Sequence, residues 1–309
     1  MHVAVVIVGF RNAEEVGRCL AALGRSDYPD FEAVVVENGG ADAFSALRAV
    51  APERLPGGQA VTLLAAPGNL GFAGGINLGM RARPDADAWW LLNPDTQADP
   101  GALSALVARL AVGDCAAVGG TLYAPDGMVQ SRGGHWRRWV ARAVSIGHGD
   151  TLDAAVDAAS VEAQLDYISG ASMLAGRAMV EAVGLMRDDY FLYAEEVEWG
   201  LRAHAKGLRF GFAPEARVCH GQGGTTGSAD AIHTRPRLPI YMDERNKLNV
   251  VRDTTPLRLP VAIPAAFALT VLRFARRGAW TPWRHALAGW WAGVRNERGM
   301  PPWMRGKTS

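Results

Sequence analysis

The sequence predicts an α/β fold on a mostly parallel sheet. β-rich apolar runs alternate with helical periodicity through the first third of the chain, and the first of those runs, residues 3–8, is apolar without a break. A strand buried on both faces reads this way, and strand-helix alternation is what parallel pairing requires. After residues 3–8, Asn12 stands where a cap would precede the helical pattern of Val16, Leu20 and Leu23. The alternation continues with strands at 31–36, 61–65 and 88–92, each leading into a helix: near 43–50, near 72–81, and one beginning at Pro100. Ligands of such sheets bind beyond the carboxyl ends of the strands, so residues 9–12, 37–40, 68–75 and 93–96 are the places to look for function.

Beyond Val118 the pattern changes. A turn at Pro125, Asp126 and Gly127 precedes a Trp/Arg-rich stretch at 135–139, and residues 132–164 carry so little periodicity that a mobile or inserted region is expected. Structure resumes at 167–175. A helix over 195–206 is stopped by Gly207 before a strand at 209–212, 217–219 reads as strand, and a further helix covers 240–252.

Composition bounds the function. With 49% hydrophobic and 20% charged residues, the 309-residue chain folds around a sizeable core and is neither disordered nor fibrous. Cys19, Cys115 and Cys219 are too scattered for a disulfide framework, which fits a reducing cytoplasm. The opening apolar run is too short for a signal peptide and no basic region precedes it, so no secretion is expected. The net charge of +1 hides an asymmetry: residues 256–309 hold nine Lys/Arg against Glu297 alone, leaving the first 255 residues at −7. The longest apolar run, residues 259–272, carries Pro260 and Pro264 and falls short of the ~20 residues of a spanning helix, so it is expected to lie on a bilayer rather than cross one.

Two nucleotide signatures are absent. Gly9 is followed by Phe10, Arg11 and Asn12 rather than a GxGxxG, and Gly306-Lys-Thr308 lacks the upstream P-loop glycine. Between Asn69 and Asn77, glycines and amides sit at a strand-to-helix turn, where bare backbone either approaches a phosphate or ribose or simply makes a tight turn. Asp95 follows an apolar strand on a proline-stiffened turn. It either caps that turn or offers the single carboxylate that Mg²⁺ or Mn²⁺ needs when water and phosphate oxygens complete its octahedron. Glu195, Glu196 and Glu198 open a helix among Phe191, Tyr193 and Trp199: a dipole-stabilised first turn on one reading, a base held in a cleft on the other. His220 closes a strand before a glycine-rich stretch, as a loop cap or a metal ligand.

Taken together, residues 3–253 resemble glycosyltransferase family 2, with the GT-A fold, and especially its bacterial rhamnosyltransferase-like members. The strand ending in Phe10 and Asn12 is similar to the family's opening strand. Val34 to Gly39 resembles the segment that holds the nucleobase, through Glu37 and Asn38, with Glu37 where Asp is usual. Residues 69–79 resemble its Asn-x-Gly-Phe-Ala-x-Gly-x-Asn stretch, which makes Asn69, Gly71, Gly74 and Asn77 candidate substrate-binding residues. Asn93, Pro94 and Asp95 look like the family's replacement for its Asp-x-Asp motif, which gives Asp95 the metal role and makes His220 the histidine completing that site. Glu195 and Glu196 occupy the place of a Glu-Asp pair whose second acid is the catalytic base, while Glu198, Trp199 and Arg202 match the residues that follow it.

The resemblance implies a GT-A domain over residues 1–255 that moves a sugar, rhamnose favoured, from a dTDP- or UDP-sugar to a glycan or lipid-linked hydroxyl. The reaction would invert the anomeric centre and use Mg²⁺ or Mn²⁺; no nucleic-acid partner is implied. Galactofuranosyl transfer is the alternative within the family. The glutamates at 37 and 196 leave a non-catalytic nucleotide-sugar or glycan-binding protein as a rival. A sugar nucleotidyltransferase is disfavoured, because residues 9–12 supply no Gly-rich, Arg-containing loop. Residues 256–309, which hold five of the ten tryptophans and most of the basic excess, are expected to form a helical tail, starting at Pro264, that rests on the inner face of the membrane.

Overall fold

The structure, a computed structural model, describes residues 1–221 and 231–305. The glycine-rich stretch after His220 (222–226) and Gly306-Lys-Thr308 lie outside these. The first half of the fold follows the expected alternation: β1 (Val3–Gly9), α1 (Ala13–Leu23), β2 (Phe31–Glu37), α2 (Ala41–Val50), β3 (Val61–Ala65), α3 (Gly71–Arg81) and β4 (Ala88–Leu92). A short strand the sequence did not announce, β5 (Thr96–Ala98), precedes α4 (Ala102–Ala111) and β6 (Ala117–Tyr123). Next come β7 (Val129–Ser131), β8 (Gly134–Arg137), β9 (Arg142–Ser145), α5 (Ala158–Glu162), β10 (Ser172–Gly176), α6 (Arg177–Val183) and α7 (Glu195–Ala205). The expected strands at 209–212 and 217–219 are one, β11 (Phe210–His220), with an irregularity between its halves. The chain continues through α8 (Arg237–Thr254), α9 (Leu259–Arg273) and α10 (Trp280–Val294).

The main sheet has the order β3-β2-β1-β4-β10-β6-β11-β5, with β7 added on β6. β3, β2, β1 and β4 run parallel, β10 is antiparallel to both its neighbours, and β11 returns parallel to β6. Side chains alternate across a strand, so Val3, Val5 and Ile7 join one core beneath α1 and α4, while Ala4, Val6 and Val8 join the other beneath α3 and α7. Both faces of β1 are covered, which explains its unbroken apolar run. β1 pairs with β2 on one side and β4 on the other, so the strand order reverses there and a crevice opens beyond their carboxyl ends.

Residues 132–164, expected to be mobile or inserted, carry regular structure: β8, β9 and α5. β8 and β9 form a hairpin whose Trp136, with Ala141 in its turn, is buried against α7, α8 and α9. Strands of four residues with so few buried positions give no readable period, which is why the sequence pattern was blank. Asn12 precedes α1 as expected, but its side chain does not cap the helix. Its Oδ1 accepts from Phe10 N at 2.9 Å and its Nδ2 donates to Glu15 at 2.8 Å, so it holds the turn leaving β1.

The tail packs on α8. A Cβ on Gly289 would fall 2.4 Å from Tyr241 O, so α10 approaches α8 more closely than any side chain allows. Thr270 donates to the buried Glu244 at 2.7 Å, and Trp290 Nε1 donates to Ile263 O at 3.0 Å, which ties α9 to both neighbours. Pro264 lies inside α9 instead of starting it. Short 3₁₀ turns at both ends lengthen the helical segment to Pro256–Arg277, 22 residues, so by length and composition alone it could cross a membrane, contrary to the reading of the apolar run.

Candidate active site

A cleft of about 340 Å³ opens where the strand order reverses. Its walls are the carboxyl ends of β1 and β4, the start of α3, the loop before α7 and the end of β11. Of the residues singled out in the sequence, Phe10, Asn12, Asn38, Asn69, Gly71, Asp95, Glu195, Glu196 and His220 line it. Glu37, Gly74, Asn77, Glu198, Trp199 and Arg202 do not.

On one side the amides shape the wall. Asn38 Nδ2 donates to Gly71 O at 2.8 Å, and Asn69 Oδ1 accepts from Gly71 N at 3.0 Å. Gly71 has φ +71°, and a Cβ there would lie 2.0 Å from Phe191 O, which accepts from Phe72 N at 2.7 Å. This glycine lets α3 meet the loop that carries the acidic pair, so its role here is backbone approach between two elements. Glu37 is buried behind the wall, where its Oε1 accepts from Arg11 N at 3.0 Å and Gly39 N at 2.7 Å, joining the loops after β1 and β2. Asn77 faces away and donates to Met186 O at 2.8 Å, and Gly74 packs on Leu70.

Opposite lie Asp95 and His220, brought together because β5 pairs antiparallel with β11 and sets His220 across from Thr96. Asp95 Oδ1 and His220 Nε2 are 3.3 Å apart. Two ligands held at right angles around an ion at ~2.1 Å would be ~3.0 Å apart, so the pair fits two adjacent positions of an octahedron. No group of three or more His, Cys, Asp or Glu suited to a metal occurs among the described residues. Water and phosphate oxygens would therefore fill the remaining positions. Asn93 N donates to Ala171 O at 3.0 Å and Thr96 Oγ1 donates to Asn93 O at 2.6 Å, which fixes the turn presenting Asp95. Sequence reasoning missed Gln130 on β7, whose side chain bonds both the ring and the carbonyl of His220 at 2.9 Å.

The acidic pair stands on strained backbone. Phe191, Tyr193 and Ala194 take φ of +68°, +69° and +69°, a region where side chains cost about 1–3 kcal/mol each. The buried Asn246 of α8 holds this loop: its amide nitrogen donates to the carbonyls of Tyr190, Leu192 and Tyr193 at 3.0, 2.9 and 2.8 Å. Arg245 adds bonds to Tyr190 O at 3.0 Å and to Gly299 O of the tail at 2.7 Å. Neither residue was visible in the sequence, nor was Met304, a tail residue on the cleft wall.

Glu195 is buried with one carboxylate oxygen unpartnered, and desolvation beside Glu196 lifts its pKa well above the usual range. Glu196 is only half-buried, and desolvation raises it to about 7, opposed by hydrogen bonds from backbone amides at the start of α7. Glu198 turns back to pair with Arg202 at 3.0 Å, and Arg202 donates to Val183 O and Leu185 O at 2.6 and 3.0 Å. Trp199 is fully buried and donates to Gly184 O at 2.8 Å, so these three residues anchor α7 from behind.

Residues 1–237 match the family model described as glycosyltransferase like family 2. The chain is a family 2 glycosyltransferase. As a member of that family it transfers sugar from a nucleotide sugar. The chain is 27% identical over 258 residues to the N-acetylglucosaminyl-diphospho-decaprenol L-rhamnosyltransferase of Mycobacterium tuberculosis, spanning 74% of this chain and 79% of that protein, in two strains alike. Among solved structures, the mannosyltransferase PcManGT from Pyrobaculum calidifontis, in complex with GDP-Man and Mn²⁺, superposes with a TM-score of 0.59 at 17% identity, covering 96% of this chain and 88% of its own. The S. aureus TarS fragment 1-349 in complex with UDP gives 0.54 at 12% identity, covering 90% and 73%. These likenesses establish that this family 2 glycosyltransferase has a GT-A-like fold.

Proposed function

We propose that this glycosyltransferase moves rhamnose, in preference to galactofuranose, from a dTDP- or UDP-linked donor to a hydroxyl of a glycan or lipid-linked acceptor, by direct displacement with inversion. One observation carries the reading: a carboxylate whose pKa is raised to about 7, Glu196, lines the same cleft as Asp95 and His220. A group poised near neutrality can take the acceptor's proton as its oxygen attacks. Glu195, held beside it and far less ready to ionise, keeps that end of the cleft from carrying two charges. Mg²⁺ or Mn²⁺, held by Asp95 and His220, would supply neutralising charge for the departing diphosphate. Asn38, Asn69 and the turn at Phe10 and Asn12 line the part of the cleft left for the nucleotide.

Rhamnose and a diphospholipid acceptor are supported by the name of the mycobacterial relative. Contact with the inner membrane face is supported by α9, whose outward positions Val261, Phe267 and Leu272 are exposed, and by Leu257 in the 3₁₀ turn before it, exposed at 95%. Trp280 and Trp291 are also exposed, and Arg258 stacks over Trp139 of the β8–β9 hairpin at 4.7 Å. Indoles and arginines around an apolar face suit the headgroup layer of an anionic leaflet.

The test is incubation of the full chain with Mn²⁺, an N-acetylglucosaminyl-diphospholipid and either dTDP-rhamnose or UDP-galactofuranose, with the product's anomeric configuration read by NMR. Rhamnose transfer with inversion is the expected result. Transfer of galactofuranose alone selects the alternative, and nucleotide-sugar binding with no transfer or hydrolysis would favour a non-catalytic protein.

A further inference from the structure

We propose that Gln130 is a positioning residue for the metal site: its side-chain amide fixes the tautomer and orientation of His220 so that the unprotonated Nε2 is turned to Asp95. The inference rests on the reading that Asp95 and His220 hold a divalent cation.

Gln130 Nε2 donates to the backbone carbonyl of His220 at 2.9 Å. A carbonyl oxygen only accepts, so this bond decides which end of the amide is nitrogen. The other end, Oε1, then lies 2.9 Å from His220 Nδ1. An amide oxygen also only accepts, so Nδ1 carries a proton and the neutral ring keeps its lone pair on Nε2. That atom is 3.3 Å from Asp95 Oδ1 and accepts from Asn93 Nδ2 at 3.4 Å. The His220 side chain is only 11% exposed, which leaves the ring little room to turn.

Two electron-rich atoms facing each other at this distance form a ready place for a cation. Without Gln130 the neutral ring is free to move its proton to Nε2, where it donates to Asp95 Oδ1. One hydrogen bond then occupies both ligand atoms. Gln130 also grips the carbonyl of the residue it orients, so backbone and ring are held by a single side chain 90 positions away in sequence. Hydrogen bonds of this kind to a ligand histidine change metal affinity by roughly 10- to 100-fold.

The experiment is Mn²⁺ titration of the full chain, followed by the paramagnetic resonance signal of the free ion, with thermal unfolding recorded for each variant. Gln130→Met preserves the volume but neither donates nor accepts, and it should weaken Mn²⁺ binding roughly 10- to 100-fold with little change in unfolding temperature. Gln130→Glu keeps the acceptor for Nδ1–H and should recover most of the affinity, and it supplies the comparison should Gln130→Met fold poorly. In a His220→Ala background Gln130→Met should have no further effect. Unchanged affinity in Gln130→Met, or a loss repeated in full without His220, overturns the proposal while leaving the metal site standing. Binding that is absent from the unaltered chain, or indifferent to Asp95→Ala, overturns the metal site and the proposal together.

Discussion

Glu196 and Glu195 make different demands of the same helix start. With the Glu196 carboxyl raised to about 7 by desolvation, kcat/KM is predicted to rise with pH up to about 7 and then level off, since the base acts only when ionised. Glu196→Gln should flatten that profile and lower turnover on the order of 10²–10⁴-fold while the donor still binds; Glu195→Gln should hurt less. If the two reverse order, the base is one residue away. Glu195 also allows a stability test. Its pKa is raised above 4.5 in the folded state, so the folded chain holds a proton that the unfolded chain gives up, and the resulting stability falls as pH rises from about 4.5 toward the folded value. Glu195→Gln should therefore raise the unfolding temperature at pH 8 and hardly change it at pH 4. Asn246→Ala removes a donor shared by three carbonyls of the strained loop and should lower turnover about 10²-fold with donor affinity kept, the mark of a misplaced base. The acids were legible because three carboxylates opening a helix among aromatics are unusual. Asn246 and Gln130 were not, because an ordinary amide declares its role only when the fold brings it to partners more than fifty residues away.

At the scale of elements, the tail differs most from its sequence pattern. Its basic and Trp-rich composition was readable, but which side of α9 is apolar depends on what α8 and α10 cover. Ala262, Ala266 and Thr270 face inward with Leu259 and Ile263 packed beside them, and Val261, Phe267 and Leu272 face out. Gly299, beyond α10, donates to Asp189 O at 2.6 Å and accepts from Arg245, so the tail also supports the acidic loop. Ending the chain after Thr255 should therefore abolish transfer even to a water-soluble acceptor, and circular dichroism should show a destabilised domain. Val261→Ser with Phe267→Ser and Leu272→Ser should keep transfer to a soluble acceptor yet lose flotation with anionic vesicles. Since each Lys or Arg near such a leaflet contributes ~1 kcal/mol, flotation of the unaltered chain should weaken steeply with salt. Equal flotation of both chains, or flotation indifferent to salt, would remove the membrane from the account.

Over the whole molecule, the parallel half of the sheet was legible because its strands are five to seven apolar-rich residues long and β1, β2 and β3 each lead into a periodic helix. The second half was harder: β5 has three residues and β7 three, β10 enters antiparallel, and the β8–β9 hairpin buries few side chains, so none carries a period to count. The cleft was placed by topology, since a reversal of strand order beside β1 leaves one crevice at the carboxyl ends. The central claim is that this crevice holds a nucleotide diphosphate through a divalent ion on Asp95. Calorimetry of dTDP and UDP binding, with and without Mn²⁺, on the unaltered chain and on Asp95→Ala, tests it most directly. Binding should be strengthened by Mn²⁺ and lose its Mn²⁺ dependence in the variant, with the unfolding temperature of the free protein little changed. Metal-dependent affinity that survives intact in Asp95→Ala would contradict it.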